Sequence, residues 1–284
     1  MGADGAVPTD IPTDVPTSAR VYNWLLGGKD NFEIDRQFVR DTIRLTPHVL
    51  DAARANRLFL YRVVRYLAAE AGIRQFIDLG CGLPTENNVH QVAQRFTSDA
   101  RVVYVDIDPI VLAHARALLA GDGSTVVITA DMRDPEAILE HPDTKRLIDF
   151  SEPLAVLYLS VGHHLPDSDD PHTVLHTYID RAVPGSHLAF TQIVSTLPAE
   201  RRAELDAIVP PNIPWQTRSP EEVDALLLGH GLEPVEPGLV DINNWRPDPN
   251  QPPLAPVPEE LKTYEGASKL HKELFEYGGL FRKP

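Results

Sequence analysis

The 284-residue chain has one cysteine and two methionines, and its 26 Lys and Arg are outnumbered by 41 Asp and Glu. A single thiol excludes an internal disulfide framework. No apolar run approaches the about 20 residues needed to span a bilayer, and the N-terminus lacks the basic-then-apolar order of a secretory leader. A soluble, cytoplasmic protein without membrane contacts is expected. The net charge of −15 repels phosphate backbones, and no basic run offsets it, so nucleic acid is not an expected partner. Large apolar side chains are nearly missing from the first 17 residues, MGADGAVPTDIPTDVPT. Such a segment cannot offset its own ordering entropy and is expected to be a disordered tail.

Residues 18–284 are long enough for a large core, and one domain is the simplest count. From Leu60, apolar residues recur at Val63, Val64, Leu67, Ala68 and Ala71, the spacing of a helix face, and Gly72 stands at its C-terminal stop. Downstream, strands and helices alternate. Pro109, Pro135 and Pro171 each follow an aspartate and open a helix, and Ser219-Pro220-Glu221-Glu222 is a capping box. The alternation predicts a mostly parallel sheet covered by helices on both faces, with ligands at the carboxyl ends of its strands. Residues 246–260 are rich in proline and read as an irregular loop.

The segment FIDLGCGLPT, residues 76–85, carries the most information. Phe76, Ile77 and Leu79 form a strand, and Gly80 and Gly82 allow a tight turn and close approach of a ligand to the backbone, with Cys81 between them. A dinucleotide fingerprint would place a third glycine where Thr85 stands, and Asp78 would be unwelcome beside a diphosphate. Asp78 instead suits the cationic amino-acid end of a sulfonium ligand, which favours S-adenosylmethionine over NAD. Asp106 ends the next strand, 24 residues after Gly82, close to the ~20-residue offset at which a strand-tip acid clasps ribose hydroxyls. Ile107 adjoins it, and Asp108 is either a further contact or the N-cap of the helix opened by Pro109. The strand TVVITADM ends at Asp131 and Met132, where Asp131 is either an acceptor for an adenine amino group or a solvated loop acid.

Three strands with acidic tips, together with ARVYNWLLGGKDNFEIDR (residues 19–36) and the closing YGGLFRK, resemble a bacterial S-adenosyl methyltransferase family long catalogued as a domain of unknown function. That family lies within the class I methyltransferases. The resemblance implies a Rossmann-like α/β fold: a mostly parallel seven-stranded sheet, an N-terminal helical cap over residues 18–72, and a core over residues 73–284 ending in a C-terminal strand. It implies S-adenosylmethionine as cofactor, S-adenosylhomocysteine as product, and in-line methyl transfer to an acceptor, expected to be a small molecule. Pro84 departs from the wider pattern, standing where a third glycine is usual, and is expected to serve the helix start.

By the same resemblance, residues after the fourth strand, LSVGHHLPD, face the donor methyl group, so Ser160, His163 and His164 are candidates. His163 is either a general base or a loop-stabilising ring. In YNWLLGGKDNF, Tyr22 and Phe32 are expected to wall the pocket, and Lys29 and Asn31 to supply hydrogen bonds. Tyr22 and Asp30 are further proton-acceptor candidates. The other reading of this segment is a packing element in which Gly27-Gly28 only ends a helix. His172 and His176 share a helix face, but no carboxylate or thiol pattern completes a metal site, and none is expected. Two other functions remain open at this point: a non-catalytic donor-binding regulator and an NAD(P)-dependent oxidoreductase.

Overall fold

A computed structural model describes residues 11–118, 123–229, 231–270 and 272–284. Three helices come first: α1 (Ser18–Leu25), α2 (Glu33–Thr42) and α3 (Val49–Ala69). Five parallel strands follow, β1 (Gln75–Leu79), β2 (Arg101–Asp106), β3 (Thr125–Thr129), β4 (Ala155–Tyr158) and β5 (His187–Ser195), lying side by side in the order β3-β2-β1-β4-β5. The short β6 (Glu233–Pro234) and β7 (Val240–Asp241) and the long β8 (Leu274–Arg282) complete the sheet, with β8 antiparallel to β5 along its full length.

The expected seven strands become eight segments in seven positions. β6 pairs with the end of β8, at Phe281–Arg282, and β7 with its middle, at Tyr277–Gly278. The turn between them, where Gly238 N–H donates to Val235, interrupts what would be one edge strand. Pro234 and Pro237 have no N–H to extend the ladder. Within β8, a Cβ at Gly278 would lie 1.9 Å from the carbonyl oxygen of Phe190, so this strand pairing requires glycine there.

Alternation along β1 divides the core. Ile77 and Leu79 face one side, against Ile138, Leu147, Leu175 and Ile179. Phe76 faces the other, against Phe59, Val63, Val64 and Leu67 of α3. Of the helices expected as a cap, α3 thus belongs to the layer covering the sheet. Helices α1 and α2 pack with the start of α3 in a separate cluster of Trp24, Leu25, Val39, Ile43 and Leu50, which also takes in Val257 from the proline-rich segment and Leu261 just after it.

Most helix starts are where the punctuation placed them. Asp134 accepts from Ala137 N–H at 3.1 Å, Asp170 from Thr173 N–H at 3.3 Å, and Ser219 from Glu222 N–H at 3.3 Å. Pro84 is an exception. The helix after β1, α4 (Val89–Ala93), starts at Asn88, whose N–H is held by Gln91 at 2.9 Å. Pro84 lies in the preceding turn, because capping at Asn88 decides the start. Of the expected tail, residues 1–10 lie outside the described residues, whereas the Pro12 and Val15 carbonyls accept from the Arg20 guanidinium. Among the described residues, no helix is long and apolar enough to cross a membrane.

Candidate functional site

The carboxyl ends of β1 to β5 open into a cavity of about 470 Å³, walled on the far side by α1, α2 and residues 205–217. Tyr22, Asp78, Gly80, Cys81, Gly82, Asp106, Ile107, Asp131, Met132, Ser160 and His163 all line it. Lys29, Asn31 and Phe32 do not. Asn31 donates to Asn23 Oδ1 and to the Gly28 carbonyl, both at 3.0 Å, which closes the loop on itself. Phe32 packs with Leu83, Ile110 and Val111 under the Arg20 guanidinium. Lys29 and Asp30 are exposed, and Asp30 lies 3.8 Å from His114.

The turn after β1 is built for close approach. Gly80 and Gly82 have φ of +66° and +65°, and a Cβ at Gly80 would meet Val161 Cγ1 at 2.6 Å. Asp106 braces the turn: one carboxylate oxygen accepts from Gly82 N–H at 2.8 Å and the other from Asp108 N–H at 2.9 Å. Burial pushes Asp106 up to about 6, against the pull of these N–H groups. Asp108 caps the next helix through Ile110 N–H at 3.0 Å. Asp131 is engaged by Arg133, which spans both its oxygens and reaches Asp169 at 3.0 Å. Burial alone would raise Asp131, but its bonds to Arg133 hold it below the usual carboxylate range.

Asp78 lies on the side of β1 that faces α3, opposite Arg57. Its carboxylate accepts no hydrogen bond from the described residues, and burial pushes it up to about 7 despite Arg57, with Asp106 adding to the rise. Arg57 is anchored at one end, to the Glu86 carbonyl at 2.8 Å and Asn88 Oδ1 at 3.1 Å, while its Nε is buried without a partner. An acid and a base facing one cavity, each with unused capacity and not paired with each other, fit the ammonium and carboxylate of an α-amino acid. Sequence reading missed Arg57. Its signal was its place one turn before Leu60, on the helix whose apolar face packs beside Asp78.

Of the three proton-acceptor candidates, Asp30 lies outside the cavity, and neither Tyr22 nor His163 is free for that task. Tyr22 donates to the Ala53 carbonyl and accepts from Asn56, both at 3.0 Å, and burial pushes its hydroxyl up to about 12. His163 Nδ1 accepts from Ile193 N–H at 3.2 Å, so its ring proton sits on Nε2 and that edge is a donor. Burial, with the nearby His164 and Arg218, drives His163 well below the usual histidine range, so the ring stays neutral. Ser160, at φ +59°, donates from its backbone to Thr191 Oγ1 at 2.7 Å and from its hydroxyl to Glu276. Burial pushes Glu276 up to about 8.

Comparison with known proteins bears on this site. The profile of a family described as S-adenosyl methyltransferase matches residues 4–284. The crystal structure of a presumed methyltransferase from Thermobifida fusca is 45% identical, with a TM-score of 0.82, and the match covers 97% of this chain and 98% of that one. A DUF574 family protein from Streptomyces avermitilis is 33% identical, also with a TM-score of 0.82, over 97% and 100% of the two chains. No curated protein matches the chain. The mutually unpaired Asp78 and Arg57, the glycine turn braced by Asp106 and the whole-chain match agree: the chain belongs to the S-adenosyl methyltransferase family and is an S-adenosylmethionine-dependent methyltransferase.

Proposed function

We propose that the chain methylates a small molecule held in the same cavity as the donor, and that α1 and α2, the outer part of the expected cap of residues 18–72, cover the two together. The observation that carries this reading is the continuity of the cavity from the acidic strand tips to an apolar wall at residues 205–215. The charge of −15 also disfavours a nucleic acid acceptor.

When bound, the donor supplies an activated methyl group on a sulfonium. Asp78 and Arg57 hold its amino-acid end, Asp106 its ribose hydroxyls, and Ile107, Asp131 and Met132 border its base. Ile107 is 63% exposed, an apolar surface that a base would cover. Holding two reactants in near-attack geometry away from water supplies up to about 7–11 kcal/mol of the lowering of the barrier. Incubation with labelled donor and a metabolite extract should place label in the low-molecular-weight fraction; label confined to RNA or protein would overturn the proposal.

Asp78 makes donor-site binding pH-dependent. The ammonium prefers the ionised carboxylate, and with Asp78 near 7 the ionised fraction falls as pH drops. S-adenosylhomocysteine affinity should therefore weaken about tenfold from pH 8 to pH 6. Asp78→Asn should flatten that profile in calorimetric titration. A flat profile in the unaltered protein would remove Asp78 from the ammonium site.

A further inference from the structure

Two adjacent histidines at the cavity wall carry opposite tautomers. His163 Nδ1 accepts from a backbone N–H, which places its proton on Nε2. His164 Nδ1 lies 2.7 Å from the carbonyl oxygen of Pro214, and a carbonyl only accepts, so His164 carries its proton on Nδ1. His164 Nε2 is then a bare lone pair with no partner among the described residues. The rings lie 4.4 Å apart, and His163 stacks on Trp215 at 4.0 Å. Both rings line the cavity.

A neighbouring donor and acceptor match one chemical group, a hydroxyl. We infer that His164 is the general base of the reaction: its Nε2 takes the proton of an acceptor hydroxyl whose oxygen accepts from His163 Nε2–H. This rests on the cavity being the acceptor site. The step balances. The hydroxyl oxygen forms a bond to the methyl carbon as its proton passes to His164 Nε2, the C–S bond breaks, and its electron pair stays on sulfur as a neutral thioether. The single positive charge moves from the sulfonium to the imidazolium.

The surroundings narrow the acceptor. Beyond the histidines, the wall is mainly apolar, with Leu205, Ile208, Val209, Ile213, Trp215 and Leu274 against only Asn212 and Thr217, so the body of the acceptor is mainly apolar. The groups facing His164 are His163, Trp215, the Pro214 carbonyl and the Arg133 cation, itself countered by Asp131 and Asp169. Burial lowers His164 below the usual histidine range and Arg133 adds to this, while the Pro214 carbonyl opposes both. A weak base of this kind suits an acidic hydroxyl, a phenol or enol, rather than an aliphatic alcohol.

The tautomers can be read directly from the ring-nitrogen NMR shifts of the ¹⁵N-histidine-labelled full chain. His164 should be protonated at Nδ1 and His163 at Nε2; His164 protonated at Nε2 would overturn the proposal without reference to any acceptor. Transfer is then measured with labelled donor and three probes: 1-naphthol, 4-nitrophenol and 2-cyclohexylethanol. His164→Asn keeps a donor for the Pro214 carbonyl but removes the lone pair. It should lower kcat for 1-naphthol about 100-fold, leave S-adenosylhomocysteine affinity unchanged, and lose far less with 4-nitrophenol, which is already ionised at pH 8. Equal losses with both phenols, or none, would overturn the base assignment. Methylation of the aliphatic alcohol but of neither phenol would overturn the acceptor class. Donor binding without transfer to any probe would also count against that class, whereas label found only in macromolecules would overturn the small-molecule reading itself.

Discussion

Asp106→Ala is expected to weaken S-adenosylhomocysteine binding by at least about 100-fold, or about 3 kcal/mol, because two kinds of hydrogen bond to one charged group are lost together. One kind is proposed, to the ribose hydroxyls. The other is in place before any ligand arrives: Gly82 N–H and Asp108 N–H each donate to a different oxygen of the carboxylate. The alanine variant frees the turn at Gly82 as well as removing the ribose acceptor. Asp106→Asn keeps one acceptor oxygen and should lose only about tenfold. Lys29→Ala, at an exposed position outside the cavity, should stay within about twofold, since surface substitutions away from a site change little. Calorimetry checks all three, with circular dichroism confirming the fold. An alanine variant that binds as tightly as the unaltered protein would remove Asp106 from the donor site.

The contrast between Asp106 and Lys29 also marks what the sequence made legible. Apolar runs ending in acids placed Asp78, Asp106 and Asp131 at strand tips, and parallel pairing in register brings such tips to one edge. Helix starts were legible for a similar reason, since an N-cap is satisfied within four residues of itself. The loop of residues 27–32 depends on tertiary partners. Asn31 has donors that suit a ligand equally well on paper, but Asn23 and Gly28 are nearer and use them. Arg57 depends on which face of α3 meets β1, which the helical pattern implied but did not register against Asp78. The tautomers of His163 and His164 were beyond reach of the sequence, because they are set by Ile193 N–H and the Pro214 carbonyl, 30 and 50 residues away.

Arg20→Leu is expected to cost the fold about 3–5 kcal/mol, the range for stranding one member of a buried ion pair. The side chains of Arg20 and Asp35 are both fully buried, with Nε 2.9 Å from Oδ2. Asp35 also accepts from Thr17 N–H at 3.1 Å and Phe32 N–H at 2.8 Å, and Arg20 reaches the Pro12 carbonyl at 2.6 Å. This pair therefore ties α1, α2 and the segment before α1 into one unit, and Pro12, Thr17, Ser18 and Ala19 line the cavity. If an uncompensated charge is the cause, adding Asp35→Asn to Arg20→Leu should recover about 1–2 kcal/mol, because the amide is neutral yet still accepts from Phe32 N–H. Urea denaturation midpoints at constant slope test this. A double variant less stable than Arg20→Leu alone would mean that the hydrogen bonds Asp35 accepts from Thr17 N–H and Phe32 N–H outweigh the cost of its unpaired charge. Because neither Arg20 nor Asp35 lines the cavity, the single variant should also weaken S-adenosylhomocysteine binding in proportion to the loosening of α1, and the double variant should recover part of both quantities together.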